Sequence, residues 1–331
     1  MAELITQRAD NLSGLAVFAD CFGADLYGLA TRLEPLRLNA GDVLMRQGDT
    51  SHFFAIIADG ALAIRHQDDN GSTVEIAVPA GEVVGEIALL KNQPRVASVT
   101  ATTEVHGWRG DDAAFAELIQ LPGVLRHLVR IARQRLAAFL APISVRMRDG
   151  AQFLLRPALP GDKEIAGKGH VAFSAETRYR RFMSFREPSP ELMTYLFEVD
   201  YVDHFVWVLI TADDDVVADA RFVRDEAGAS SAEVAFIVGD EYQGNGIGSF
   251  LMKALAIAAK VAGVEEFTAR VLSENMSMRR ILDAYGAVWE REDLGVVITT
   301  MPVPERSRIR LPTKLADQIA ALARQAIQAV G

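Results

Sequence analysis

The chain has 331 residues, half of them hydrophobic and 24% charged, with 12 prolines, 25 glycines and one cysteine. That length predicts about two domains, and the composition excludes a disordered or collagen-like chain. A single cysteine, Cys21, excludes an intramolecular disulfide and a cysteine-cluster metal site, and we expect no metal. The net charge of −10 divides evenly: residues 1–143 carry 12 basic and 17 acidic side chains, and residues 144–331 carry 22 and 27. Neither half has the basic excess of a duplex-binding domain, so no nucleic-acid partner is expected. No run reaches the roughly 18 apolar residues of a membrane span, and the first residues lack a signal-peptide pattern. A cytoplasmic location, with no membrane partner, is the expectation.

In chain order, the first 120 residues read as short strands broken by Gly41-Asp42, Gly48-Asp49, Asp59-Gly60, Asn70-Gly71 and Ala80-Gly81. Turn chemistry at that spacing predicts antiparallel structure closed into a roll, with Asn70-Gly71 the best hairpin signal. From about Asp111 the period becomes helical, with Val124, Leu125, Leu128, Ala132, Leu136 and Phe139 on one face and Pro142 as the stop. The polar stretch 144–152 reads as a linker. Beyond it come a short strand (FLLRP), a helix, and two strands joined at Asp213-Asp214-Asp215. A strand (AEVAFIV), a helix (IGSFLMKALAIAAKVA), a strand (EFTARVL), a helix after Asn275 and a strand (GVVITTMP) complete the pattern. This alternation predicts a mixed α/β sheet, and the whole chain an α+β two-domain protein. The tail, 304–331, places Leu315, Ile319, Leu322, Ala326 and Val330 on one helical face, either packed on its own domain or acting as a movable lid.

Two constellations carry chemistry. In GEIALLKNQPRVASVTA (85–101), Gly85-Glu86 closes a strand and opens a short helix, and Arg95 follows Pro94. Backbone N–H groups and one arginine suit a singly charged phosphodiester, while Glu86 suits a ribose hydroxyl. The plain alternative is a surface ion pair. In DEYQGNGIGSFLMKAL (240–255), Gln243, Gly244, Gly246 and Gly248 lie between a strand and a helix, where free N–H groups suit a pyrophosphate. Glycines alone do not separate this from a Rossmann loop, since Glu265 and Glu266 lie near the spacing of an acidic ribose ligand.

The order of the motifs is more specific. GDVLMRQGD, FFAIIADGALAI, GEIALL and PRVASVTA resemble the cyclic nucleotide-binding domain of bacterial transcription regulators and kinase regulatory subunits. The resemblance implies a β-roll with flanking helices over residues 1–143, with Gly85, Glu86, Ile87, Ala88, Arg95 and Val96 around ribose and phosphate. Val96, where a threonine would mark cyclic GMP, implies cyclic AMP. The last helix would cover the base, with Arg135 or Gln134 as its polar contact. No basic helix-turn-helix follows.

AEVAFIVGDEYQGNGIGSFLMKAL followed by NMSMRRILDAYGA resembles the GNAT acetyltransferases over 153–303. It implies that Phe236, Ile237 and Val238 bind the pantetheine arm of acetyl-CoA. Gln243, Gly244, Asn245, Gly246, Ile247, Gly248 and Ser249 would form the pyrophosphate loop, and Asn275 a further contact. The reaction would be acyl transfer to an amine, with Glu233 as general base and the Val238 N–H polarising the thioester oxygen. A carboxylate near pKa 4.3 is about six units weaker than the lysine amine it must deprotonate, so burial or a water must assist. The tyrosine that many members place seven residues after the asparagine is Leu282 here, with Tyr285 one turn on. His170, in a polar stretch, is either a plain loop histidine or an autoinhibitory mimic of the acceptor lysine.

Together the halves resemble the cyclic-AMP-regulated protein lysine acetyltransferases of mycobacteria. That implies acetyl-CoA as substrate, cyclic AMP as effector, and protein acceptors such as acyl-CoA synthetases and a universal stress protein. Two alternatives stay open: an acetyltransferase of small amines, and a non-catalytic nucleotide sensor.

Overall fold

The computed structural model describes residues 2–167, 171–184 and 186–330. It divides into two compact units, one running to Phe139 and including Val330, the other spanning Leu140–Ala329. Among the described residues, no helix is long and apolar enough to cross a membrane.

The first unit opens with helices α1 (Ala2–Ser13) and α2 (Tyr27–Arg32). Strands β1 (Glu34–Leu38), β2 (Val43–Met45), β3 (Phe53–Asp59), β4 (Leu62–Gln67), β5 (Thr73–Val78) and β6 (Val83–Val84) follow. Then come α3 (Glu86–Lys91), β7 (Ser98–Ala101), β8 (Val105–Asp111), α4 (Asp112–Leu118) and α5 (Val124–Ala138). Two antiparallel sheets, β1-β8-β3-β6 and β2-β7-β4-β5, form the roll. The twofold alternation of β3 builds two cores. Phe54 and Ile56 pack with Leu29, Phe115 and Leu128 of the helices, whereas Ala55 and Ile57 face Val99 and Val105 between the sheets. Asn70-Gly71 does turn a hairpin: the Asp68 carboxylate accepts from the N–H groups of Asn70 and Ser72, and Gln67 pairs with Thr73. The continuous helical period after Asp111 is interrupted where Pro122, lacking an N–H, follows α4, so two helices form.

The second unit is one eight-stranded sheet. Its elements are β9 (Ile143–Arg146), β10 (Gln152–Pro157), α6 (Asp162–Gly167), α7 (Ala175–Phe182), α8 (Pro190–Phe197), β11 (His204–Ile210) and β12 (Val216–Val223). They continue with β13 (Ser231–Val238), α9 (Ile247–Ala262), β14 (Glu266–Leu272), α10 (Met276–Asp283), β15 (Glu290–Asp293), β16 (Val296–Pro302) and α11 (Thr313–Ile327). The strand order is β15-β16-β14-β13-β12-β11-β10-β9. Stretch 144–152 is therefore no free linker. Ile143, Val145 and Met147 are buried and alternate with exposed Ser144 and Arg146, the pattern of a half-buried edge strand, and β9 pairs with β10. Helix α9 buries Phe250, Leu251, Ala254, Leu255 and Ala258 at helical spacing, and the buried Trp207 of β11 donates its indole N–H to the Ala254 carbonyl (3.0 Å). The apolar face of α11 packs along α9.

One junction positions the site. Strands β13 and β14 are parallel and pair only through Ser231↔Glu266, Ala232↔Phe267 and Glu233↔Thr268. Beyond Glu233 the strands part.

Candidate functional sites in the two units

In the first unit, the predicted residues Gly85, Glu86, Ile87, Ala88, Arg95, Val96 and Arg135 line one small cavity of about 30 Å³, closed by Phe139. Gly85 precedes α3 in the left-handed region (φ 88°), where only glycine is unstrained, and an added Cβ would stand 2.7 Å from Arg95 Nη1. Arg95 donates from Nη1 to the Gly85 carbonyl (2.9 Å) and from Nη2 to the Phe53 carbonyl (2.5 Å), and lies over the Phe53 ring. Burial holds its pKa below the usual guanidinium value, partly offset by Glu86. A desolvated cation of this kind favours an anion that replaces the water it has lost.

Glu86, 1% exposed, meets Arg135 and not Arg95. Arg135 Nη1 donates to Glu86 Oε1 (2.7 Å) and to the Val83 carbonyl (2.6 Å), and Nη2 to Glu82 Oε2 (3.2 Å). Arg135, expected with Gln134 as a candidate contact to the base, here has its guanidinium engaged at the carboxylate expected at the ribose, and Gln134 beside it is buried. The Phe139 ring stacks on His66 with centroids 4.4 Å apart.

In the second unit, a cleft of about 420 Å³ opens where β13 leaves β14. Glu233, exposed, stands at the fork. The cleft is lined by Phe236, Ile237 and Val238, and by the loop residues Gln243, Gly244, Gly246, Ile247, Gly248 and Ser249. Asn275 also lines it, whereas Asn245 is exposed on the loop and does not. The backbone direction is fixed by Gly239, whose N–H donates to the Val217 carbonyl of β12 (2.8 Å). Alternation along an antiparallel ladder then turns the N–H groups of Val238 and Phe236 the other way, into the gap left by β14. Such free strand donors can pair an extended ligand, and the start of α9, capped by Gly246 at φ 85°, presents N–H groups to an anion.

Two predicted contacts have local duties as well. The Gln243 amide braces the loop by donating to the Val238 carbonyl (3.0 Å) and to Thr177 (3.0 Å). Asn275 caps α10, its side-chain oxygen accepting from the Met278 N–H (3.2 Å). Leu282 is fully buried, and Tyr285, its pKa raised by burial, does not line the cleft. The tyrosine that does is Tyr242. His170 lies outside the described residues.

Behind Glu233 is a charged cluster that pattern reading passed over. Register places Arg221 opposite Ala235 and Asp219 opposite Ile237, on the same sheet face as Glu233. Arg221 donates to Asp219 Oδ1 (2.9 Å) and to the Leu196 carbonyl (2.7 Å), and its Nη1 lies 3.5 Å from His204 Nε2. Burial, then Arg221, pushes the His204 imidazole down to about 3. Arg181 of α7 lines the cleft beside Glu233, and burial followed by Arg221 holds it down to about 10, against Asp219 and Glu233. Polar residues at alternate positions of the apolar run VVADARFV were the available signal. Arg181, in a polar stretch with no motif, gave none.

Residues 35–121 match the cyclic nucleotide-binding domain family, and residues 152–288 the acetyltransferase (GNAT) domain family. The two sites thus define a GNAT acetyltransferase joined to a cyclic nucleotide-binding domain. The acetyltransferase Pat of Mycolicibacterium smegmatis is 51% identical over 331 residues, covering 100% of this chain and 99% of that protein. A solved structure, the cAMP-binding acyltransferase from Mycobacterium smegmatis, is 48% identical with both chains covered in full and a TM-score of 0.53. The acetyltransferase PA5475 of Pseudomonas aeruginosa is 29% identical over 44% of this chain and 79% of its own. The chain belongs to the Pat acetyltransferase family and is an acetyltransferase, not a bare sensor.

Proposed function

We propose that the second unit transfers acetyl from acetyl-CoA to lysine side chains of target proteins, with Glu233 as general base, and that cyclic AMP bound in the first unit regulates it. One observation carries the catalytic reading: Glu233 stands at the fork of β13 and β14, in the same cleft as the glycine loop and the freed strand donors. The N–H groups at the start of α9 hold the pyrophosphate, the gap edge of β13 pairs with the pantetheine arm, and the Val238 N–H polarises the thioester oxygen. The amine nitrogen attacks the carbonyl carbon, the C–N bond forms and the C–S bond breaks. The amine proton passes to Glu233, and coenzyme A leaves as thiolate. Of the two aids that a carboxylate base can use, the exposure of Glu233 leaves a water relay. Arg180 and Arg181 line the same cleft, which disfavours small polycationic acceptors and favours a single lysine presented by a protein.

The nucleotide reading rests on Arg95, buried and desolvated beside Gly85 and Glu86, with Val96 lacking the hydroxyl expected for cyclic GMP. Acyl-CoA synthetases and a universal stress protein are the acceptor classes to try first, with a cytoplasmic setting. The test is thiol release from acetyl-CoA with a candidate acceptor, with and without cyclic AMP. Glu233→Gln is expected to lower kcat by 10²-fold or more with acetyl-CoA affinity retained. Turnover left intact up to the amine's own pKa of about 10.4 would remove Glu233 from the chemistry. Arg95→Ala is expected to abolish the nucleotide response, and a response that survives refutes the assignment of that pocket.

A further inference from the structure

We infer that Arg135 occupies the ribose position of the nucleotide pocket and competes with the nucleotide for Glu86. This rests on the reading that the pocket takes a cyclic nucleotide. Glu86 is almost wholly buried, and its carboxylate accepts a charged hydrogen bond from Arg135 at 2.7 Å. A buried carboxylate stripped of its donor needs a replacement, because desolvation penalises an unpaired charge heavily. The ribose 2′-hydroxyl is such a donor, and at Glu86 it takes the place the guanidinium now holds. The volume agrees. About 30 Å³ admits a water or two, whereas small-molecule pockets run to several hundred Å³.

What fills the space is the end of α5. Arg135 and Phe139 are four residues apart, hence on one face, and both close the same cavity. The Phe139 ring lies on His66, and Arg135 is tied to Val83 and Glu86 inside and to Glu82 outside. One outward movement of this last turn frees Glu86 and opens the cavity together. Glu82, 27% exposed, is the carboxylate that Arg135 keeps as it withdraws. Arg135 therefore opposes nucleotide binding, the reverse of a base contact, and sets the affinity of the pocket.

The sign of one change decides between these roles. Cyclic AMP and 2′-deoxy-cyclic AMP are titrated by calorimetry into the full chain and its Arg135→Ala and Arg135→Gln variants. Removal of the competitor is expected to tighten both nucleotides in Arg135→Ala, by tenfold or more, because each must displace the same guanidinium. The gain in Arg135→Gln is smaller, since the amide keeps a neutral hydrogen bond to Glu86 in nearly the same volume and serves if the alanine variant fails to fold. Unchanged or weaker binding in the variants that fold overturns the competition and leaves the nucleotide site itself standing. Binding by a variant but not by the unmodified chain supports the competition in its strongest form. No binding by any of them overturns both readings.

Discussion

His204 is a titratable group placed where charge is costly. It is buried against Arg221, with the Tyr195 ring centroid 5.4 Å from its own, and its folded pKa near 3 lies well below the ordinary value of about 6.5. The unfolded chain therefore binds one more proton between these values. Stability from this residue is full above about pH 6.5 and is lost as pH falls toward 3, at roughly 1.4 kcal/mol per unit. Urea midpoints measured from pH 8 down to 5 should fall for the unmodified protein, and His204→Gln should flatten that fall. An unchanged slope in the variant would place the proton uptake elsewhere. At this same scale, Glu233 and Arg95 were legible in the sequence because the motifs around them fix their place. Arg135 was legible as a pocket residue but its pairing with Glu86 was not, because periodicity gives a helical face and not the partner that waits across it. Asp219 and Arg221 were hidden by the apolar strand that carries them.

The elements that matter most are a strand and the turn after it. Gly246 opens α9 in a left-handed conformation, and no atom lies within 4 Å of where its Cβ would be. Its glycine is thus required by backbone strain alone. Gly246→Ala is expected to cost about 1–3 kcal/mol if the turn is kept. If the turn relaxes instead, the N–H groups at the start of α9 are misdirected and KM for acetyl-CoA rises about tenfold or more. Either effect is visible in paired melting and kinetic measurements, and a variant matching the original in both contradicts the role given to this turn. The strand–helix order around it was readable from the period change at Gly246 and from Asn275. Strand β9 was not, because four residues with two polar side chains look like a loop until a neighbour pairs with them. The helices α7 and α8 were missed for the same reason: their apolar faces are short, and their caps, Ser174 and Ser189, resemble loop serines.

For the molecule as a whole, two compact units follow from two separate patterns, glycine-punctuated alternation before Asp111 and strand–helix alternation after Gln152. The fold class could be read because each pattern is long and internally consistent. The dividing point was harder. It falls at Phe139, where α5 ends, and not in the more polar stretch that looked like a joint. The charge, −10 overall and negative in both halves, predicts that the protein does not retain duplex DNA near physiological ionic strength. Fluorescence anisotropy with a labelled duplex checks this, and a salt-sensitive rise would reveal a local basic patch.

The fork between β13 and β14 has a cost besides its use. A strand whose amides face a gap in mid-sheet is a rim to which other extended chains can adhere, and sheets usually confine such rims to their margins and guard them. In the function proposed above, the pantetheine arm of the thioester donor covers this rim, so light scattering of the protein on storage is expected to rise faster without acetyl-CoA than with it.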